Sequence, residues 1–239
     1  MTSIVDDRGF NQGFTWTPTQ EVRMRRRAEA ILEVTPGVSR RRMLELGCGT
    51  GELASFLARP EDAHVTGVDL CQPFVDQAQK RFGHERLQFL QADLGQAADR
   101  LRLGDGWSAL VGNGILHHLY HHIDEALASM FSMLAPQGRF VFWEPNLFNP
   151  YVFAIFRFGL LRRLTKLEPD EMAFTPKWIS QRLAQAGFGE ISVKCRDFLV
   201  PAVPEALIPA VVAVGDVAER LPGVDHLAQS LFITARRPA

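Results

Sequence analysis

HHLYHH, residues 117–122, holds four of the chain's seven histidines within six residues. Imidazole exchanges protons near neutral pH and also ligates metals, so this stretch offers a base, a metal site or a polar helix surface. Three carboxylates form a second group. Glu45, Asp69 and Asp93 stand 24 residues apart, each closing an apolar, β-rich run. A glycine-rich turn, GCGTG, occupies Gly47 to Gly51 directly after the first of them. Glycines there permit a tight turn and a close backbone approach to a ligand beside a helix N-terminus.

The elements that position these residues follow from the pattern. Strands are predicted at 41–46, 64–70, 86–94, 106–116 and 139–146, with helices at about 52–58, 71–82 and 123–138 between them. Pro73 suits the first turn of its helix, and Gly138 is read as the stop of the 123–138 helix. Alternating strands and helices imply right-handed βαβ units and a parallel sheet. Beyond residue 146 the rhythm breaks. An apolar helical insert is expected over 150–164, and a helix capped by Thr175 and Pro176 over 175–188. Two further strands are expected at 190–200 and 230–237, joined by a helical segment over 204–221. One domain spans 1–239: a helical cap (1–40), a core (41–146), an insert or lid (147–174) and a C-terminal helix with a strand pair (175–239).

Open α/β sheets bind ligands outside the carboxyl ends of their strands, so the three acids line one crevice. Gly49, Gly51 and Ala54 fit GxGxxA, with Asp69 20 residues after Gly49, which also matches a dinucleotide fingerprint. Glu45 argues against NAD, because a carboxylate beside the glycines repels a pyrophosphate. It suits an ammonium. Asp69 can take two ribose hydroxyls, and Asp93 can accept from an exocyclic amine. A nucleoside with a cationic amino-acid tail meets all three demands, and S-adenosylmethionine (SAM) is such a ligand.

LELGCGTGELA (44–54), TGVDLC (66–71), QADL (91–94), NGILHHL (113–119) and LAPQGRFVFWEP (134–145) together resemble the successive motifs of a class I SAM-dependent methyltransferase. The resemblance covers residues 40–146. It implies a seven-stranded, mostly parallel Rossmann-like α/β sheet with helices on both faces and a C-terminal antiparallel hairpin. It implies SAM as cofactor and S-adenosylhomocysteine as product. Carried onto matching positions, Glu45 organises the loop around the methionine amino group. Gly47, Cys48, Gly49 and Gly51 give the turn and its backbone contacts. Asp69 binds the ribose and Leu70 lies beside the adenine. Asp93 and Leu94 meet the adenine ring, and Asn113 offers its backbone carbonyl to the ammonium. Cys48 is read as a small apolar filler of the loop.

HHLYHH then follows the fourth strand at the mouth of the crevice. Methyl transfer requires an oriented nucleophile and, where it carries a proton, a base. His117 is the first candidate and His118 the second, with polar lining as the bland alternative for both. A metal would need His117 with His121, or His118 with His122, on one helix face. Helix is predicted to begin near residue 122, so no metal is expected, and His121 and His122 are read as solvated. Glu144, in WEPN, either accepts a hydrogen bond in the substrate pocket or pairs with an arginine of the insert.

Composition narrows the partners. A net charge of −1 lacks the basic footprint of a nucleic-acid binder. NGIL lacks the Asn/Asp-Pro-Pro-aromatic tetrad that the family uses on planar nitrogens. The runs Arg23 with Arg25–Arg27, and Arg40–Arg42, are read as a solvated helix face and a strand approach. Cys48, Cys71 and Cys195 have no CxxC spacing and fit a reducing cytoplasm. The first ten residues carry Asp6, Asp7 and Arg8 and no apolar leader. No transmembrane segment is expected.

Substrate choice lives in the additions to such a fold. Phe10, Phe14 and Trp16 could close over the site or pack the first helix. The insert carries Phe148, Tyr151, Phe153, Phe156 and Phe158, then Arg162, Arg163 and Lys166. It is read as a lid, then a homodimer interface, then a peripheral membrane contact, in that order. The expected function is SAM-dependent O- or N-methylation of a small, fairly apolar acceptor, such as an intermediate of a biosynthetic pathway. The alternative is a catalytically silent SAM-binding partner protein, and a NAD-dependent dehydrogenase is the third reading.

Overall fold

The computed structural model describes residues 17–35, 41–165, 167, 171–200 and 203–239. Phe10, Phe14, Trp16, Arg40 and Lys166 lie outside the described residues.

Helix α1 (Pro18–Val34) opens with a capping box, in which the Thr17 hydroxyl accepts from Gln20 N and the Gln20 side chain accepts from Thr17 N. The chain then runs β1 (Arg41–Leu46), α2 (Glu52–Leu57), β2 (Ala63–Asp69), α3 (Gln72–Phe82), β3 (Leu87–Gln91), α4 (Ala97–Leu103) and β4 (Trp107–Asn113). A 3₁₀ segment (Leu116–His122) leads into α5 (Ile123–Met133) and β5 (Leu134–Pro145). The insert forms α6 (Pro150–Arg157) and α7 (Gly159–Leu164). After it come α8 (Pro176–Gln185), β6 (Gly189–Arg196), α9 (Ile208–Ala218) and β7 (Ser230–Arg236).

The seven strands form one sheet in the order β3-β2-β1-β4-β5-β7-β6. β1 to β5 are mutually parallel, and β7 is antiparallel to both β5 and β6. This is the expected architecture, with its C-terminal hairpin. Alternate residues of the central strands feed two apolar layers. Leu44, Leu46, Phe140 and Phe142 pack with α5 and α8 on one face. Met43, Val111, Val141 and Trp143 pack with α1, α2 and α3 on the other. Strands buried on both sides need such continuous apolar runs.

Element ends depart from the expectation in places. Gly138 does not stop a helix: α5 ends at Met133, and Gly138 lies within β5, after Gln137 at φ 66°. β3 ends at Gln91, so Asp93 lies in the turn beyond it. β4 ends at Asn113, because Gly114 turns at φ 69° before the 3₁₀ segment.

Of the α1 arginines expected on a solvated face, Arg25 is exposed, but Arg23, Arg26 and Arg27 are drawn into ion pairs. Arg27 is buried, and its guanidinium donates to Asp197 (2.6 Å), the Ser230 hydroxyl (2.6 Å) and the Asn113 side chain. Arg23 reaches the same Asp197 carboxylate at 3.0 Å, and Arg26 pairs with Asp216 of α9. Burial pulls the Arg27 pKa down to about 10, which leaves it charged at neutral pH. Burial alone would raise the Asp197 carboxyl, but Arg27 and Arg23 outweigh it and hold its pKa below the ordinary value. The helical period of α1 put Arg23 and Arg27 on one face, and the ends of β6 and β7 supplied the acid and the hydroxyl.

Candidate functional site

The carboxyl ends of β1, β2 and β4 meet at one edge of the sheet, where Glu45 pairs in register with Gly67 and Val111. The turn after β1 runs through Gly47, Gly49 and Gly51, all at positive φ (66°, 52° and 86°). Gly51 is required on space as well, since a Cβ there would meet Ala78 and Phe89 at 2.8 Å. At Gly49 a Cβ would meet nothing within 4 Å, so the backbone faces open space there.

The acids beneath this turn are buried. Glu45 is 1% exposed, and its Oε2 has no hydrogen-bond partner among the described residues. Burial first, then Glu52 and Asp69 nearby, push its pKa well above the ordinary carboxylate range. Asp69 accepts from Gly49 N at 2.8 Å and from Cys71 N at 2.9 Å. Burial raises its pKa, while these amides and the neighbouring His118 oppose the rise. Each carboxylate oxygen has two acceptor positions, so Asp69 can hold the turn and still receive hydroxyls. Cys48 is buried, and burial with Glu45 and Asp69 beside it pushes its thiol pKa well up, as befits a filler of the loop.

Sequence reasoning missed Glu52. Its buried carboxylate accepts from the Thr50 hydroxyl at 2.5 Å and from Arg81 at 2.6 Å, bracing the first turn of α2. Its place at a helix start was the one signal available.

Leu70 and Asp93 line a cleft of about 620 Å³ with Gln72, Val75, Phe89 and Arg102. Asp93 is off its strand, and its Oδ1 accepts from Gly95 N at 2.7 Å. Leu94 is half-buried against the apolar layer beneath α5. The Asn113 side chain is committed to Arg27, so the orientation of this residue is set from α1.

Glu144 departs from both expected roles. It is 1% exposed and accepts from the backbone amides of Ile115 (2.9 Å), Leu116 (2.7 Å) and His117 (3.2 Å). A fourth bond joins it to His117 Nδ1 at 2.9 Å. It therefore caps the 3₁₀ segment rather than lining the pocket or pairing with the insert. Three amides at a helix start need such an acceptor, and a carboxylate satisfies them best.

The histidines separate. His117 is buried and held by Glu144. His118 is more open, at 20% side-chain exposure, and its Nδ1 lies 3.0 Å from Glu171 Oε1. The two imidazole rings are 4.2 Å apart between centroids. His121 and His122 are exposed, as expected. A 3₁₀ turn has three residues per turn, so it does not align i with i+4, and neither spaced histidine pair forms. Donor atoms of His117, His118 and Glu171 instead lie within 4.8 Å of one another. No sequence signal near residue 171 pointed to that meeting.

The fold and this edge define a class. Residues 44–140 match the model of a family described as a methyltransferase domain. The chain's structure superposes on a SAM-dependent methyltransferase from Archaeoglobus fulgidus with TM-score 0.63 at 18% identity, covering 90% of this chain and 94% of that one. A SAM-dependent methyltransferase from Mesorhizobium loti gives TM-score 0.61 at 21% identity, covering 88% and 95%. Residues 44–140 thus carry a methyltransferase domain, and the chain has the fold of the class I SAM-dependent methyltransferases.

Among relatives by sequence, an uncharacterized methyltransferase of Mycobacterium tuberculosis is 32% identical over 124 residues, which is 51% of this chain and 60% of the relative. A fatty-acid O-methyltransferase of Mycolicibacterium smegmatis is 35% identical over 108 residues, covering 45% of this chain and 38% of that one. The matches thus span well under the full length of these relatives. The residues of the glycine turn fit the family's cofactor: an unpartnered, buried Glu45 oxygen suits an ammonium, and the open side of Gly49 admits a ligand against the backbone.

Proposed function

We propose that the chain methylates a small, fairly apolar acceptor on oxygen or nitrogen, using SAM and releasing S-adenosylhomocysteine, in a reducing cytoplasm. The observation that carries the cofactor part is Glu45. A buried carboxylate with an open acceptor position repels a dinucleotide pyrophosphate and attracts a cationic amino-acid tail.

When bound, SAM supplies an electrophilic methyl group on a sulfonium. The chain's own residues supply the rest. Glu45 and the turn at Gly47–Gly51 bind the amino-acid end, and Asp69 orients the ribose while holding Gly49 N. Leu70 and Asp93 receive the adenine in the cleft they line. Glu144 fixes the 3₁₀ segment that presents His117 and His118. The insert supports the apolar acceptor reading. It has its own small core of Val152, Phe156 and Ala173, while Tyr151, Phe158, Leu160 and Leu164 remain exposed. We read it as a lid. Among the described residues no helix is long and apolar enough to cross a membrane.

The test has two stages. Isothermal titration with SAM, S-adenosylhomocysteine and NADH comes first. Micromolar binding of the first two without NADH is expected, and binding of NADH alone would end this reading. Transfer of a labelled methyl from SAM to 1-naphthol, decylamine and dodecanoate comes second. Binding without transfer to any acceptor in a widening apolar panel would favour a silent SAM-binding protein.

A further inference from the structure

A metal held by histidines four residues apart needs one α-helical face, which the 3₁₀ segment (Leu116–His122) does not offer. That segment offers a different cluster. His117 and His118 are adjacent, with ring centroids 4.2 Å apart, and the insert brings a carboxylate to them. Met172 N donates to His117 O at 3.2 Å, Leu147 N to Phe174 O at 2.9 Å, and Arg162 to the Glu171 carbonyl at 3.1 Å. The residue after Glu171 is thus tied directly to His117. One ring nitrogen of each histidine and one carboxylate oxygen of Glu171 lie within 4.8 Å of one another.

We propose that His117, His118 and Glu171 form a binding site for one divalent transition-metal ion of the zinc class. The donor set favours it. Two imidazoles and one carboxylate suit zinc, cobalt, nickel or iron, whereas magnesium and calcium take oxygen ligands. Spacing agrees. His118 Nδ1 stands 3.0 Å from Glu171 Oε1. Donors about 2.0–2.2 Å from one ion stand about 3–3.5 Å apart at neighbouring positions, and side-chain movements of about 1–2 Å bring the whole cluster to that spacing.

The surroundings suit a ligating histidine as well. A metal-bound imidazole gives its other ring nitrogen to a carboxylate, which fixes the ring. His117 has such a partner: its Nδ1 is 2.9 Å from Glu144 Oε2, and Glu144 is itself held by the amides of Ile115, Leu116 and His117. Two imidazolium cations 4.2 Å apart would repel, so at least one ring stays neutral with a lone pair to give. The side chains of His117, His118 and Glu171 are 10%, 20% and 3% exposed, and attraction to an ion is stronger there than in bulk water. Three protein ligands leave one position of a tetrahedral ion open, as in catalytic rather than structural zinc sites. Ion binding here does not depend on the chain being a methyltransferase.

The test uses the full chain without a histidine tag, stripped with EDTA and dialysed. Calorimetric titration with Zn²⁺ should give one ion per chain with a micromolar or tighter dissociation constant, and millimolar Mg²⁺ should not compete. Co²⁺ should bind with the visible absorption bands of a four- or five-coordinate nitrogen and oxygen site. Glu171→Gln and His118→Gln should each weaken Zn²⁺ binding by at least about tenfold. His121→Gln combined with His122→Gln should leave it unchanged, because those side chains are exposed. Circular dichroism of each metal-free variant checks that it folds.

Absence of stoichiometric Zn²⁺ binding would overturn the site. So would binding that survives Glu171→Gln and His118→Gln, or that is lost in His121→Gln with His122→Gln, since the ion would then sit on the exposed histidines. Competition by Mg²⁺ would overturn the class of ion. If the single variants fail to fold, X-ray absorption of the Zn²⁺-loaded unaltered chain decides. Two imidazoles with oxygen in the first shell are expected, and sulfur there would mean a cysteine site instead. S-adenosylhomocysteine binding is read separately, so failure of the methyltransferase reading is distinguishable from failure of the metal site.

Discussion

The two sides of the sheet edge are built on different length scales. On the cofactor side, Glu45, Asp69 and Asp93 stand at or just beyond successive strand ends and are tied by local bonds such as Gly49 N to Asp69 and Gly95 N to Asp93. Where α1 meets the C-terminal segments the ties are remote. Arg27 meets Asp197 across 170 residues, and the Thr19 hydroxyl meets the Val203 carbonyl across 184. The first side is written by βα unit spacing, and the second by which distant segments happen to close against it.

The sharpest way to break this contrast is Arg27→Met. It leaves the buried Asp197 with Arg23 alone and strips donors from Ser230 and Asn113. Loss of one partner of a buried pair costs about 3–5 kcal/mol, on the order of 10 °C in a chain of this size. Thermal unfolding checks it, and a fall of under about 1 kcal/mol would mean the remote side is not held by this pair. Asp197 has a depressed pKa, so its contribution is present above the unfolded carboxylate value and is lost as pH falls through the folded one.

Glu45→Gln tests the other side. It should weaken SAM binding by about 1.5–3 kcal/mol, or roughly 10–150-fold, by titration calorimetry. The same change should stabilise the ligand-free protein. The folded pKa of Glu45 is raised, so its ionisation penalises the fold as pH rises above the unfolded value of about 4.3. The gain should be near zero at pH 4 and grow as pH rises toward the raised folded value. An unchanged pH profile would mean that Glu45 is not a buried, reluctant carboxylate.

Asp69→Ala should weaken SAM by at least about tenfold, with a smaller loss of stability as Gly49 N and Cys71 N lose their acceptor. An unaltered dissociation constant would remove Asp69 from the ribose. The smallest effect belongs to the insert. Leu160 and Leu164 are 70% and 71% exposed, so Leu160→Ser with Leu164→Ser should change stability by under about 0.5 kcal/mol and leave SAM binding alone. A raised KM for an apolar acceptor would support the lid. A shift in gel-filtration volume would point to an interface between copies, and loss of vesicle binding to a membrane contact.

The comparison also marks what was legible in advance. The run of motifs from Leu44 to Pro145 announced the parallel sheet, its glycine turn and the acids, because strand alternation and turn chemistry are local. Glu144 was noticed for its type and misjudged in role. Which backbone amides start a 3₁₀ segment depends on the turn at Gly114, and the sequence read as unbroken strand there. The α1 arginines looked solvated because a basic run on a helix usually faces water, and the acids that hold them, Asp197 and Asp216, lie far along the chain.

The sequence by itself determined the fold class, the cofactor chemistry and the neighbourhood of the histidines, since each rests on strand alternation and turn chemistry that are local and repeat from one βα unit to the next. Only the tertiary structure decided that Arg27 is buried, that Glu144 is a cap, and that Glu171 reaches His118. Those contacts join segments separated by long loops, and their partners are chosen by the closing geometry of β6, β7 and the insert. Sequence spacing carries no record of that geometry.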